Sequence, residues 1–316
     1  MAKIFAITGV CGYVAPRHLR AIKDTGNKLV AAMDPHDAAG ILDQYFDEVR
    51  FFTEFERFDR HLDKLRRQDA GNEVHFISVC SPNYLHDAHC RLALRIGADA
   101  ICEKPVVLNP WNIDALQELE SESGKKVYTI LQLRVHPALI ELKKKIEADK
   151  SSKKKEVILT YVTSRGLWYL SSWKGLKERS GGLATNIGVH FFDLLLWLFG
   201  KVKRSEVHID EQLRTSGFME LEMATVKWYL SINPKDLPEI ALKAGQRTFR
   251  SVSIDGNEVE FSEGFTDLHT SVYKETLAGR GFDLETARPS IQLVHDLREA
   301  KPIGLNENSH PSLRRN

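Results

Sequence analysis

The chain has 316 residues, 42% hydrophobic and 28% charged, which is more than one hydrophobic core usually serves, so two domains are expected. Its 44 Lys and Arg stand against 43 Asp and Glu, a net charge of +1. No overall basic field is available to hold a polyanion, which excludes nucleic acid as a partner. Cys11, Cys80, Cys90 and Cys102 form no CxxC pair, so neither a disulfide framework nor a zinc site is expected, and no metal. No export signal precedes the first strand, and the longest apolar stretch, Val189 to Gly200, is short for a bilayer and carries His190 and Asp193. The expectation is a cytoplasmic protein without a membrane partner.

Taken in order, an apolar run at 3–8 ends in the Gly9–Gly12 turn and is followed by a helix from Ala15 to Asp24. Apolar runs at 29–33, 74–80 and 99–102 end in Asp34, in Ser81-Pro82-Asn83 and in Glu103-Lys104-Pro105. A helix at 111–123 and a strand at 126–131 complete this part. Near-continuous apolar strands alternating with helices describe a parallel sheet covered on both faces, a Rossmann domain assigned here to residues 1–134. Ligands of such sheets gather at the carboxyl ends of the strands, where the polar residues just named lie.

From 135 to 316 the pattern changes. The strand 157–163 leads into the aromatic loop Arg165-Gly166-Leu167-Trp168-Tyr169, and a helix spans 187–199. Period-2 segments follow at 205–209, 223–232 and 248–261, the last folded at Asp255-Gly256. Helices at 268–278 and 285–299 close the chain near the domain junction, and the final dozen residues are expected to fray. The fold class is therefore α/β: a parallel-sheet Rossmann domain followed by an α+β domain with a mainly antiparallel open sheet. The second domain is expected to bind substrate and to mediate oligomerisation.

Gly9-Val10-Cys11-Gly12-Tyr13-Val14-Ala15 departs from G-x-G-x-x-G/A: Gly12 and Ala15 fit the second and third positions, and Gly9 takes the first role in a loop of different shape. Glycine lets the backbone approach a pyrophosphate, and the helix start behind it offers N–H groups to the anion. Asp34, 22 residues after Gly12, stands where an acid binds the adenosine ribose. No Arg or Lys follows it directly to receive a 2′-phosphate, so NAD is favoured over NADP. Gly9, Gly12, Tyr13, Val14, Asp34, Ser81, Pro82, Asn83, His86, Glu103, Lys104, Gln132 and Trp168 form the expected cofactor set.

Lys104 follows a strand of the same sheet, and burial beside a positive nicotinamide ring would lower an amine pKa of ~10.4 enough for proton exchange with a sugar hydroxyl. In Gly181 to His190, Asn186 and His190 are i,i+4 neighbours on a helix, which a satisfied core pair would explain equally well. The glycine turn, Ser81 to His86, Glu103-Lys104-Pro105 and the Asn186/His190 helix together resemble the glucose-fructose oxidoreductase/inositol dehydrogenase (Gfo/Idh/MocA) family over nearly the whole chain. There the EKP lysine and a D-x-G-x-H histidine flank the hydroxyl being oxidised; carried over, these are Lys104 and His190, with Asn186 in place of the usual Asp.

Further segments narrow the resemblance: Gly12 to His18, Leu131 to Arg134, Thr163 to Gly166 with Trp168-Tyr169, Ser172 to Gly175, Ala184 to His190, and Phe261 to His269 are similar to UDP-N-acetyl-2-amino-2-deoxyglucuronate 3-dehydrogenases of bacterial cell-surface polysaccharide (lipopolysaccharide O-antigen) synthesis. That resemblance implies oxidation of a UDP-sugar uronate at C3, 2-oxoglutarate as second substrate reoxidising bound NADH, and a homotetramer. Arg134, Arg165 and Lys174 would then meet the anionic groups, and Trp168, Tyr169 and Trp173 the rings, with Thr185, Asn186, His190 and Lys104 completing the substrate set. The aromatics would equally serve to seal the domain interface. A dehydrogenase of a free sugar or inositol and a catalytically silent NAD-binding sensor remain open alternatives. His86-Asp87-Ala88-His89 offers a metal hydrolase too few ligands.

Overall fold

The computed structural model describes residues 2–68, 71, 73–149, 151–260 and 267–313. Phe261 to Thr266, part of one quoted loop motif and the end of one expected strand, lie outside them. The chain forms two compact units, Met1–Val135 with Gly264–Arg288 and His136–Glu263 with Pro289–Asn316. The division is thus not a single cut after residue 134, because a segment from late in the sequence rejoins the first unit.

In the first unit β1 (Ile4–Thr8), β2 (Lys28–Met33), β3 (Arg50–Phe52), β4 (Phe76–Val79), β5 (Asp99–Cys102) and β6 (Val127–Thr129) form one sheet in the order β3-β2-β1-β4-β5-β6. Every neighbouring pair is parallel. The strand order reverses between β1 and β4, the switch point of a doubly wound sheet, where the turns at Gly9 and Ser81 emerge side by side. Phe5, Ile7, Leu19, Ile22, Ile101 and Ile130 form the core, joined by Val272 and Tyr273 from the helix Leu268–Leu277. The Phe5 ring stacks on Phe76 at 5.1 Å and on Tyr273 at 5.9 Å. Beyond the expected elements, helices occupy Phe55–Gln68 and His86–Arg95.

The second unit holds β7 (Lys155–Thr163), β8 (Val202–Asp210), β9 (Arg214–Leu221), β10 (Ala224–Ser231), β11 (Thr248–Ile254) and β12 (Asn257–Glu258), in the order β12-β11-β7-β10-β9-β8. Only β7 and β10 run parallel; the other pairs are antiparallel. β9 has no clear alternation in its sequence because six of its eight residues are buried. The helix Val189–Phe199 buries nine of its eleven residues and sets Phe192 edge-on to Trp228 at 5.4 Å. Among the described residues the helical run Lys177–Phe199 is apolar and long enough to cross a bilayer, but 67% of its most apolar window is buried inside the protein.

Two expectations change here. The helix does not begin with plain α spacing: Ala184–Gly188 is a π turn, so the i,i+4 argument for Asn186 and His190 does not hold across its start. The C-terminal dozen does not simply fray either. His310 is 1% exposed, stacks on Tyr229 at 5.5 Å and bonds Thr160 Oγ1 at 3.1 Å. Its apolar ring and two polar nitrogens anchor the tail as far as Leu313.

Candidate active site

The turn after β1 is a packed backbone junction. Gly9 has φ +75°, and a Cβ there would stand 2.5 Å from the Cys80 carbonyl carbon, so only glycine fits between the two strand ends. Its N–H bonds Met33 O at 2.8 Å, and Gly12 N–H closes the turn onto Gly9 O at 3.0 Å. Asp34, 6% exposed, accepts from Cys11 N–H at 3.0 Å and from His36 N–H at 2.9 Å. The acid at the end of β2 therefore ties the glycine loop down and keeps lone pairs for further donors. Tyr13 projects into solvent, 90% exposed, with the Arg17 guanidinium 5.5 Å from its ring centre.

After β4, Ser81 and Asn83 are buried and Pro82 is half-buried. His86 fastens this loop: its Nε2 lies 2.7 Å from Ser81 O and its Nδ1 2.7 Å from Pro105 O. A neutral ring can donate to only one of these carbonyls at a time; the charged ring would satisfy both, but burial lowers its pKa. His89 faces elsewhere, bonding Thr8 Oγ1 at 3.0 Å and stacking on Phe55. The two histidines share no centre, which removes the support for a metal hydrolase.

Glu103 and Lys104 follow β5. Glu103 is buried, and its Oε1 accepts from His18 Nε2 at 3.0 Å and His269 Nε2 at 2.8 Å. Burial opposes its charge, but these hydrogen bonds outweigh it and hold the carboxyl well below its ordinary range. The three side chains bring atoms able to ligate a metal within 4.8 Å of one another, but they spend them on each other. Lys104 is half-buried; burial lowers its pKa, the Glu103 charge raises it, and the Arg17 charge lowers it. Gln132 and Arg134 share the short helix Gln132–Val135, and Arg134 lies 5.9 Å from the Phe282 ring centre.

The residues fit a dinucleotide. A glycine cradle that a Cβ would fill stands at the switch point, an acid ends β2, and Ser81 Oγ and Gln132 Oε1 are buried without a hydrogen bond to any described group.

The second unit carries the rest. Tyr169 is 2% exposed and its hydroxyl accepts from Asn186 Nδ2 at 2.6 Å, fixing the π turn to the aromatic loop. Buried Thr185 Oγ1 has no hydrogen bond to a described group. His190 is half-buried, its ring 4.3 Å from Phe191 and 5.9 Å from Tyr161. Arg250, on β11, stands 5.9 Å from the Tyr161 and Phe191 rings, a cation that no sequence spacing disclosed. Lys174 Nζ lies 4.2 Å from the Trp173 ring centre and 5.9 Å from Trp168, which is 55% exposed. Burial first, then the Arg165 charge, lower the Lys174 pKa, so this loop holds two cations that disfavour each other. The structure thus gathers Gly9, Gly12, Asp34, Ser81, Asn83, His86, Glu103 and Lys104 in one unit. It places Arg165, Trp168, Tyr169, Trp173, Lys174, Thr185, Asn186 and His190 in the other.

A family model described as "Oxidoreductase family, NAD-binding Rossmann fold" matches residues 3–131, and its C-terminal alpha/beta domain matches 153–291. The chain is 52% identical to the WlbA (WbpB) dehydrogenase from Thermus thermophilus, solved with NAD and alpha-ketoglutarate, with a TM-score of 0.94 and coverage of 98% of this chain and 99% of that one. A second structure of that dehydrogenase holds NAD and UDP-GlcNAcA, at 51% identity, a TM-score of 0.93 and the same coverage. Curated relatives match over shorter spans: an inositol 2-dehydrogenase of Rhizobium meliloti is 24% identical over 62% of this chain and 55% of its own length. A D-glucoside 3-dehydrogenase of Escherichia coli is 27% identical over 44% of this chain and 40% of its own length. The chain thus spans about half or less of the length of these curated relatives. Matched in both of its parts, it belongs to the Gfo/Idh/MocA oxidoreductases, whose N-terminal domain is an NAD-binding Rossmann fold.

Proposed function

We propose that the chain is an NAD-dependent dehydrogenase that oxidises the C3 hydroxyl of UDP-N-acetyl-2-amino-2-deoxyglucuronate to the 3-keto sugar. The observation that carries this is the 52% identity over 98% of the chain to a dehydrogenase solved with NAD and alpha-ketoglutarate, backed by the UDP-GlcNAcA complex of the same enzyme. NAD, when bound, supplies the hydride acceptor. Gly9, Gly12, Tyr13, Val14, Asp34, Ser81, Pro82, Asn83, His86, Glu103, Lys104, Gln132 and Trp168 are assigned to holding it.

Lys104 is assigned the hydroxyl proton, with His190 as its second. Burial favours the neutral amine that a base requires, and the Glu103 charge steadies the ammonium that forms. Arg134, Arg165 and Lys174 are assigned to the carboxylate and diphosphate, an assignment supported by the mutual repulsion of Arg165 and Lys174. Trp168, Tyr169 and Trp173 are assigned to the rings, and Thr185 and Asn186 to the sugar. With Asn186 in place of an acid, no carboxylate from the π turn competes for the proton. The proposal extends to 2-oxoglutarate as the reoxidant of bound NADH, a homotetramer, and a cytoplasmic role in lipopolysaccharide sugar synthesis.

The test is incubation of the purified protein with UDP-GlcNAcA and NAD, with and without 2-oxoglutarate. A 3-keto product, with 2-hydroxyglutarate formed only when the keto acid is present, is expected. Oxidation of inositol or a free sugar instead would give the enzyme to that substrate class, and no turnover with any of them would overturn the proposal. In single turnover at saturating NAD, Lys104→Ala should lose about 10²–10⁴-fold in rate.

A further inference from the structure

Five polar side chains stand in a row inside the first unit. Ser78 Oγ lies 2.6 Å from Tyr273 Oη, Tyr273 Oη lies 2.7 Å from His18 Nδ1, and His18 and His269 reach Glu103 Oε1 through their Nε2 atoms at 3.0 and 2.8 Å. All five residues are buried. The direction of each bond follows from the charge at the end. An ionised carboxylate only accepts, so both histidines present N–H at Nε2. A buried His18, whose pKa burial lowers, is neutral and therefore accepts at Nδ1. Tyr273 must donate there, and its oxygen then accepts from Ser78. No donor or acceptor conflicts along the chain.

A core this size has no need of five polar groups, since an apolar set of the same volume would avoid their desolvation. What adjoins the row is Lys104. Its backbone N–H donates to Glu103 Oε2 at 3.3 Å. Among the described residues the charged or titratable groups that act on its amine are Glu103, Arg17 and His86, and of these Glu103 carries the opposite charge.

We propose that the Ser78–Tyr273–His18–Glu103–His269 chain is a positioning device that fixes an ionised carboxylate against the Lys104 backbone N–H, and thereby sets how readily the amine of that same residue takes a proton. The inference rests on the reading of Lys104 as the base. His18, His269 and Tyr273 are positioning residues, because they act on the amine through Glu103.

The test separates the device from the base. In the NAD-bound protein labelled with ¹³Cε-lysine, the Lys104 resonance, assigned through Lys104→Arg, is titrated in the parent and in Glu103→Gln. Removing the carboxylate charge should lower the Lys104 midpoint by about one pH unit, and the acid limb of the single-turnover rate should move down with it. An unmoved Lys104 midpoint would overturn the inference. A midpoint that falls while the rate limb stays keeps the device and removes Lys104 from the proton-taking role. A second pair guards against misfolding of Glu103→Gln. His269→Ala should lower turnover about tenfold at unchanged KM, and His269→Gln, whose Nε2 carries an N–H to the same place, should restore most of it. Wild-type turnover in His269→Ala would equally overturn the inference.

Discussion

At the scale of single residues, the proposed cofactor end of the site is decided by space and backbone sign. Gly9 and Gly26 both have positive φ, at +75° and +72°, but a Cβ on Gly9 meets Cys80 backbone at 2.5 Å whereas one on Gly26 meets nothing within 4 Å. Alanine at 26 should therefore cost only the left-handed strain, about 1–2 kcal/mol. Alanine at 9 adds a collision that backbone cannot relieve, so its loss should exceed that of Gly26→Ala by about 1–3 kcal/mol, and NAD binding should weaken sharply. Urea unfolding and NAD titration of the two variants check this; equal losses would show that the junction is looser than its geometry. The glycine and Asp34 were legible in the sequence because a strand, a turn and an acid at fixed spacing have one common use. The partners of Glu103 were not. They lie 85 and 166 positions away, and Tyr273 is 255 from His18, and no local pattern encodes such pairings.

At the scale of elements, the π turn and the C-terminal tail are where periodicity misleads. A helix start that carries Asn186 against Tyr169 is widened by one residue, a change that apolar spacing does not reveal. The tail lacks a repeating pattern because one side chain anchors it. His310 donates from Nε2 to Thr160 and accepts Ser312 N–H at Nδ1, 3.1 Å each, so it must be neutral. Burial, and then the Lys227 charge, lower its pKa to about 4. In the first unit, burial and then His86 lower His89 to about 3. Unfolded imidazoles titrate near ~6.5. Below that pH the unfolded chain binds protons that the folded chain refuses, so stability is complete above it and falls on acidification. The slope should reach about 1.4 kcal/mol per pH unit for each histidine, down to the folded values. Denaturant midpoints between pH 7 and 5 should show this, and His310→Gln should flatten the slope by about one proton. A variant slope equal to the parent's would refute the neutral, buried His310.

At the scale of the whole molecule, the first unit is discontinuous. Tyr273 is fully buried and stacks on Phe5, and Phe282 O accepts the Thr129 N–H at the edge strand at 2.8 Å. A fragment of residues 1–135 should therefore fail to unfold cooperatively, whereas adding residues 264–288 through a short linker should restore a single transition in circular dichroism. Cooperative unfolding of the shorter fragment would show that the returning segment is dispensable. The sequence by itself determined the parallel sheet and its strands expected at 3–8 and 99–102, found at Ile4–Thr8 and Asp99–Cys102, because apolar runs between turns follow from local chemistry, and the resemblance of its motifs gave the family. Tertiary structure alone decided the return of Gly264–Arg288 to the first unit and the buried row that ends on Glu103. Burial makes a polar group seek whichever partner the fold brings near, and that choice is made by packing across the chain rather than by neighbours along it.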